Sequence, residues 1–225
     1  MKSNFEAGNM MKRTTTTIGL ILVVFILKAQ NIELGLKTGV GISNTHITNL
    51  PETENHSDIF SPILSYSFNG TISYRSKGLL GVIVEPGIIQ KGWYSFKGND
   101  NENKFIIQYF QLPFLSDFYV SDKLFFSIGP ELNYLLNAKN KSNYGTEKIT
   151  ELNRKFELAG LIGCAYKIHN KVDIGLRYSH GLTQTSEKVF WVIDEFGENP
   201  MEMKDYNQYL QIFIKLNFKT FGSKL

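Results

Sequence analysis

Few side chains in this chain could make or break bonds, and their spacing is unfavourable. His180 beside Ser179, with Thr183 nearby, is one candidate, since a histidine within hydrogen-bond reach of a hydroxyl can activate it as a nucleophile. His46 and His56, which share a stretch with Glu52, Glu54 and Asp58, are the other. Neither set reads as a site. Ser179 and His180 are consecutive, so in an extended segment they point to opposite faces. The acidic stretch around His56 lacks the spacing of a Ca²⁺ or Zn²⁺ site and reads as a solvated loop. The glycines of "GLKTGVG" (35–41) could suggest a phosphate loop, but they alternate as in a strand and no helix follows. The single cysteine, Cys164, excludes an internal disulfide framework and a cysteine-based zinc site. The expectation is no catalytic residue, no metal and no cofactor: not an enzyme.

The charged residues are better ordered. Glu33, Lys37, Arg75, Glu85, Lys91, Asp117, Glu131, Glu157, Asp173, Arg177 and Lys215 all fall on one side of segments that alternate with period two. Glycines such as Gly35, Gly39, Gly41, Gly81, Gly129, Gly163 and Gly175 share that side. The other side is large and uncharged throughout, with His180 as its single ionisable exception. In "LSYSFNGTISYRS" (64–76), Leu64, Tyr66, Phe68, Ile72 and Tyr74 stand opposite Ser65, Ser67, Asn69, Thr71, Ser73 and Arg75.

Eight segments carry this pattern, at about 31–43, 63–76, 79–95, 104–120, 123–138, 154–168, 172–184 and 206–219. Their connections run long, short, long, short, long, short, long, as in an up-and-down barrel whose two ends meet different surroundings. A soluble lipocalin-like barrel would put charge outside and apolar residues within; this pattern is the reverse. A charge on a lipid-facing midplane costs about 2–4 kcal/mol, whereas lumen charges can pair across the barrel. The reading is all-β: an eight-stranded antiparallel up-and-down transmembrane β-barrel over 31–225. An eight-stranded interior is just wide enough for side chains to fill. The near-balanced charges therefore predict a cross-lumen network that plugs it.

The N-terminal region supports export. "MKRTTTTIGLILVVFILKAQ" (11–30) has Lys12 and Arg13, an apolar run from Ile18 to Leu27, and Ala29, the pattern of a secretory signal cleaved after about Ala29 or Gln30. Residues 1–30 are thus an N-terminal extension plus signal peptide, with Met1 or Met11 as the start. With 24 basic and 21 acidic residues and a formal charge of +3, nothing points to nucleic acid. The most distinctive loop is "KVFWVIDEFGENPMEM" (188–203), where the last two strands extend as a hairpin above the membrane. Its Phe190, Trp191, Ile193 and Phe196 are a candidate contact surface for a protein partner or a lipid headgroup.

Several segments resemble the outer-membrane β-barrel family of Bacteroidota called PorT-like or "porin family" proteins. They are "GPELNYLL" (129–136), "LRYSHGLT" (176–183), "QYFQLPFL" (108–115), "VEPGIIQKG" (84–92) and the final "LQIFIKLNF" (210–218). The resemblance implies an eight-stranded barrel in the outer membrane of a Gram-negative cell and no single activity; its founding member is associated with protein secretion. The expected function is a non-enzymatic barrel with a plugged, charged lumen, acting through its extracellular loops. Its surroundings are outer-membrane lipid, and its role is secretion or envelope maintenance. The alternatives are a narrow gated pore for small solutes and an enzyme at the outer rim.

Overall fold

The computed structural model describes residues 32–48, 59–76, 78–98, 101–194 and 197–221, with backbone alone for 187–194, 197–203 and 219–221. Eleven strands account for nearly all of it: β1 (Ile32–Thr48), β2 (Phe60–Arg75), β3 (Leu80–Val84), β4 (Gly87–Ser95), β5 (Asn103–Tyr119), β6 (Leu124–Ser142), β7 (Gly145–Lys148), β8 (Phe156–His169), β9 (Val172–Gly181), β10 (Glu187–Asp194) and β11 (Gly197–Phe221). A three-residue 3₁₀ turn, Thr150–Leu152, interrupts the connection between β7 and β8.

The sheet closes on itself. β1 pairs β2, which pairs β3 and β4; these pair β5, and the ladder continues through β6, β8, β9 and β11 back to β1. Every pairing is antiparallel, from Ile32↔Phe221 to Thr48↔Lys204 at the closing seam. β3 and β4 form one stave broken at Pro86, which has no N–H to give the ladder. The register runs unchanged across the break, Ile72↔Val84 and then Asn69↔Gly87. β7 and β10 are short partners of β6 and β11 beyond the ring, so eight staves make the wall. This is the predicted eight-stranded up-and-down barrel.

Tight turns join Arg75 to Leu80, Tyr119 to Leu124 and His169 to Val172, all at one end. The other end is taller. β1 continues to Thr48, past the expected end near 43, and β6 continues to Ser142, where sequence periodicity predicted a loop from 139. The expected hairpin above the last strands is present as β10 paired to β11, from Glu187↔Lys204 to Asp194↔Gly197.

Alternation places the two faces. Leu64 is 63% exposed and its neighbour Ser65 is 0% exposed. Val40, Ile42, Phe68, Ile72, Val82, Ile88, Phe110, Phe126, Leu132, Ile162, Leu176, Ile212 and Leu216 are likewise bare on the outside. A continuous apolar band of this kind does not survive in water and marks a surface that meets lipid. Inside, the glycines set the spacing. A Cβ on Gly39 would lie 2.4 Å from the Gln211 side chain, and one on Gly175 would lie 2.5 Å from the Phe213 ring. Only a missing side chain lets those neighbours cross the narrow interior.

Candidate functional site: the filled lumen and the outer rim

All but two of the charged residues named from the sequence lie buried on the inner face: Lys37, Glu85, Lys91, Asp117, Glu131, Glu157, Asp173, Arg177 and Lys215. Glu33 and Arg75 stand instead at the rim with the tight turns. Arg75 reaches Asp122 at 3.6 Å and lies 3.9 Å above the Tyr119 ring, so it caps the opening rather than joining the interior network.

Three tiers follow the axis from that rim. In the first, Lys215 meets Asp173 at 3.6 Å, Asn217 donates to the same carboxylate at 3.2 Å, and Ser127 donates to Asp117 at 2.6 Å. In the second, Glu85 accepts from both Lys37 and Arg177, the latter at 2.7 Å. Both cations also lie over the Phe213 ring, at 4.9 and 5.2 Å. In the third, Lys91 bridges Glu131 and Glu157 at 3.0 Å each. Tyr209 donates its hydroxyl to Glu131 at 2.6 Å, and Asn207 donates to Glu157 at 2.6 Å. These residues come from β4, β6, β8 and β11, so the third tier ties together staves that are not neighbours in the ring. Apart from Asp117, which takes the Ser127 hydroxyl alone, the buried charges are held in ion pairs; an unpaired buried charge costs several kcal/mol.

The sequence reading expected charged and small residues inside, and here the structure differs. Trp93, Tyr109, Ile107, Ile89, Leu135, Ala138 and Tyr209 form an apolar cluster within the lumen on the long-loop side. Trp93 stacks on Phe105 at 5.0 Å. Smaller clusters, Ile83 with Leu115 and Leu161, and Phe125 with Ala165 and Phe213, fill the space nearer the tight turns. Ile89, Trp93, Ile107 and Tyr109 escaped the sequence argument because β4 and β5 carry large apolar residues on both faces, which blunts the contrast of alternation there. Trp93 and Tyr109 do share the parity of Lys91 and Gln111, which was the available signal.

The histidine candidates do not assemble catalytic geometry. Ser179 is buried on the inner face, while His180 lies on the outer one, within 3.3 Å of the Tyr178 hydroxyl. The Thr183 hydroxyl accepts from the Leu158 N–H at 2.9 Å. His46 lies across the seam from His180, ring centres 5.9 Å apart, and Tyr206 stacks against His180 at 6.4 Å. Tyrosine and histidine at this height form an aromatic belt where the wall leaves the apolar band. His56, Glu52, Glu54 and Asp58 lie outside the described residues, as do Phe196 and the signal region 1–30. Phe190, Trp191 and Ile193 lie on β10, for which backbone alone is described. Among the described residues no group of three or more histidine, cysteine or carboxylate side chains is placed to hold a metal ion.

Solved structures similar to this chain include small outer-membrane barrels. Neisserial surface protein A matches with a TM-score of 0.49 and 12% identity over 82% of this chain and 97% of its own. Ail, the attachment invasion locus protein of Yersinia pestis, matches with a TM-score of 0.42 and 16% identity over 83% and 99%. OprG from Pseudomonas aeruginosa matches with a TM-score of 0.38 and 11% identity over 83% and 94%. No curated protein matches the sequence. The family described as "Outer membrane protein beta-barrel domain" matches residues 28–187, well over half of the chain. A closed antiparallel sheet with an apolar outside fits that description, and the chain belongs to this outer-membrane β-barrel family.

Proposed function

We propose that this barrel is an anchor closed to bulk diffusion, without enzymatic activity, which acts by presenting its long-loop end to partners outside the cell. The observation that carries this reading is the third tier. Lys91, Glu131 and Glu157, none more than 2% exposed, meet across the axis with Tyr209 and Asn207. Against them pack Trp93 and Tyr109. A solute would have to break two ion pairs and displace an aromatic cluster to pass. The chain reaches the envelope by the signal at 11–30, and its hairpin with Phe190, Trp191, Ile193 and Phe196 supplies contact residues. On this reading the role is one in secretion or envelope maintenance, carried by the exposed loops.

Planar-bilayer recording tests the closure. The purified barrel is expected to give no steady openings. Openings that vanish when Arg177 or Glu131 is neutralised would overturn it. A pull-down with the 188–203 hairpin intact and then deleted tests the contact role, which fails if capture is the same for both.

A second reading, a narrow gated pore, draws on one observation. Ser179 Oγ, Gln211 Nε2 and Asn217 Oδ1 are buried in the lumen without a protein partner, and such atoms ordinarily take water. The same recording separates the two.

A further inference from the structure

We propose that the outer wall of β5, β6 and β7, just above the apolar band, binds the phosphate groups of the anionic glycolipid in the outer leaflet. The inference rests on the barrel being set with its long-loop end outward, and not on whether the lumen is closed.

The pairing of these strands puts lysines directly opposite one another. Lys104 on β5 faces Lys141 on β6, and Lys139 on β6 faces Lys148 on β7. Like charges in opposed positions on one face destabilise a sheet unless something of opposite sign lies between them. Lys139 and Lys141 are two residues apart, so all four share one face.

That face is the outer one, and a bulge makes it so. Tyr109 pairs Leu135 but Gln108 pairs Asn137, which leaves Leu136 as an extra residue. Before the bulge Glu131, Asn133 and Leu135 point inward; after it Ala138 does, and Lys139 and Lys141 are exposed. Without the extra residue both lysines would point into the lumen. Tyr94, in register with Lys104 on the neighbouring stave, gathers one more cation. Lys97 and Lys104 lie 5.2 and 5.0 Å from its ring centre.

No described carboxylate forms an ion pair with this patch: Glu102 accepts the Gly98 N–H at 2.8 Å, and Glu147 is opposite Asn140, on the other face of the hairpin. None of the five lysines has an ion pair among the described residues.

Position decides the occupant. Lys139 follows Leu136, which is 51% exposed in the apolar band, and Lys104 precedes Ile106 and Phe110 on the same outer face. Cations at the top of a lipid-facing wall meet headgroups, and anionic headgroups attract them at close range. A bisphosphorylated glucosamine lipid offers two phosphates at that height.

The test uses the whole purified barrel in detergent, with retained lipid counted by native mass spectrometry. Two lipids are added in parallel, bisphosphorylated lipid A and its dephosphorylated form. The intact barrel is expected to retain the phosphorylated lipid at least about tenfold better, an advantage lost at high salt. The variant K104Q/K139Q/K141Q/K148Q should lose that preference, and the Lys→Arg set should keep it. Folding of each variant is read from heat-dependent gel migration; should the quadruple variant not fold, K139Q/K141Q replaces it. Equal retention of the two lipids, or a preference untouched by the glutamine substitutions, overturns the proposal. So does inositol hexaphosphate displacing the lipid at equal concentration, which would assign the patch to soluble polyanions.

Discussion

Lys91 is the residue on which the interior depends most. Among the described ion pairs it is the cation that bridges two buried carboxylates, Glu131 and Glu157, each 3.0 Å away. Replacing it by methionine keeps the volume and leaves both carboxylates buried without their counter-charge. Breaking a buried pair from one side costs about 3–5 kcal/mol. Equilibrium urea unfolding in lipid bilayers should therefore show K91M destabilised by at least that much. E157Q leaves Lys91 paired to Glu131 and should cost less. At this scale the sequence was informative where chemistry contrasts with its surroundings. Lys91, between Gln90 and Gly92 in a strand whose opposite face is uncharged, declares its face by parity. Trp93, Tyr109 and Tyr209 did not, because an aromatic residue is equally at home against lipid or in a packed lumen.

At the scale of the strand, alternation sets what each substitution costs. Leu132 lies on the lipid face between Glu131 and Asn133, which are buried inside. Leu132→Arg should cost about 2–4 kcal/mol in bilayer unfolding, while Leu79→Arg, in a tight turn at the rim, should cost about 0–1 kcal/mol. Gly39→Leu tests the other face. A side chain there meets Gln211 within 2.4 Å, and overpacking should cost about 1–3 kcal/mol in the same assay. The staves were legible because period two persists over ten or more residues in each. Their ends were not. β6 runs on to Ser142 through a bulge at Leu136, and a bulge breaks the very parity from which a strand is recognised. The polar stretch 139–148 therefore looked like a loop, although its hydrogen bonds belong to a hairpin.

At the scale of the molecule, closure follows from the ladder. β1 and β11 pair over the whole length of β1, so the described sheet leaves no open edge among its eight staves. Inside and outside then have to divide the side chains between them; that division was readable from which alternate side carries the charges, and the up-and-down order from the loop lengths. How the lumen is filled depended on contacts between staves far apart in sequence, such as Tyr209 with Glu131, which no local pattern announces. This arrangement requires the apolar set to meet hydrocarbon. Its most direct test is a spin-label scan over positions 64–74, one cysteine at a time on a Cys164→Ser background, in lipid bilayers. Labels at 64, 66, 68, 72 and 74 should collide freely with dissolved oxygen and be shielded from a water-soluble nickel chelate, while those at 65, 67, 69, 71 and 73 should be reached by neither. Chelate access at the even positions with oxygen favouring the odd ones would contradict it.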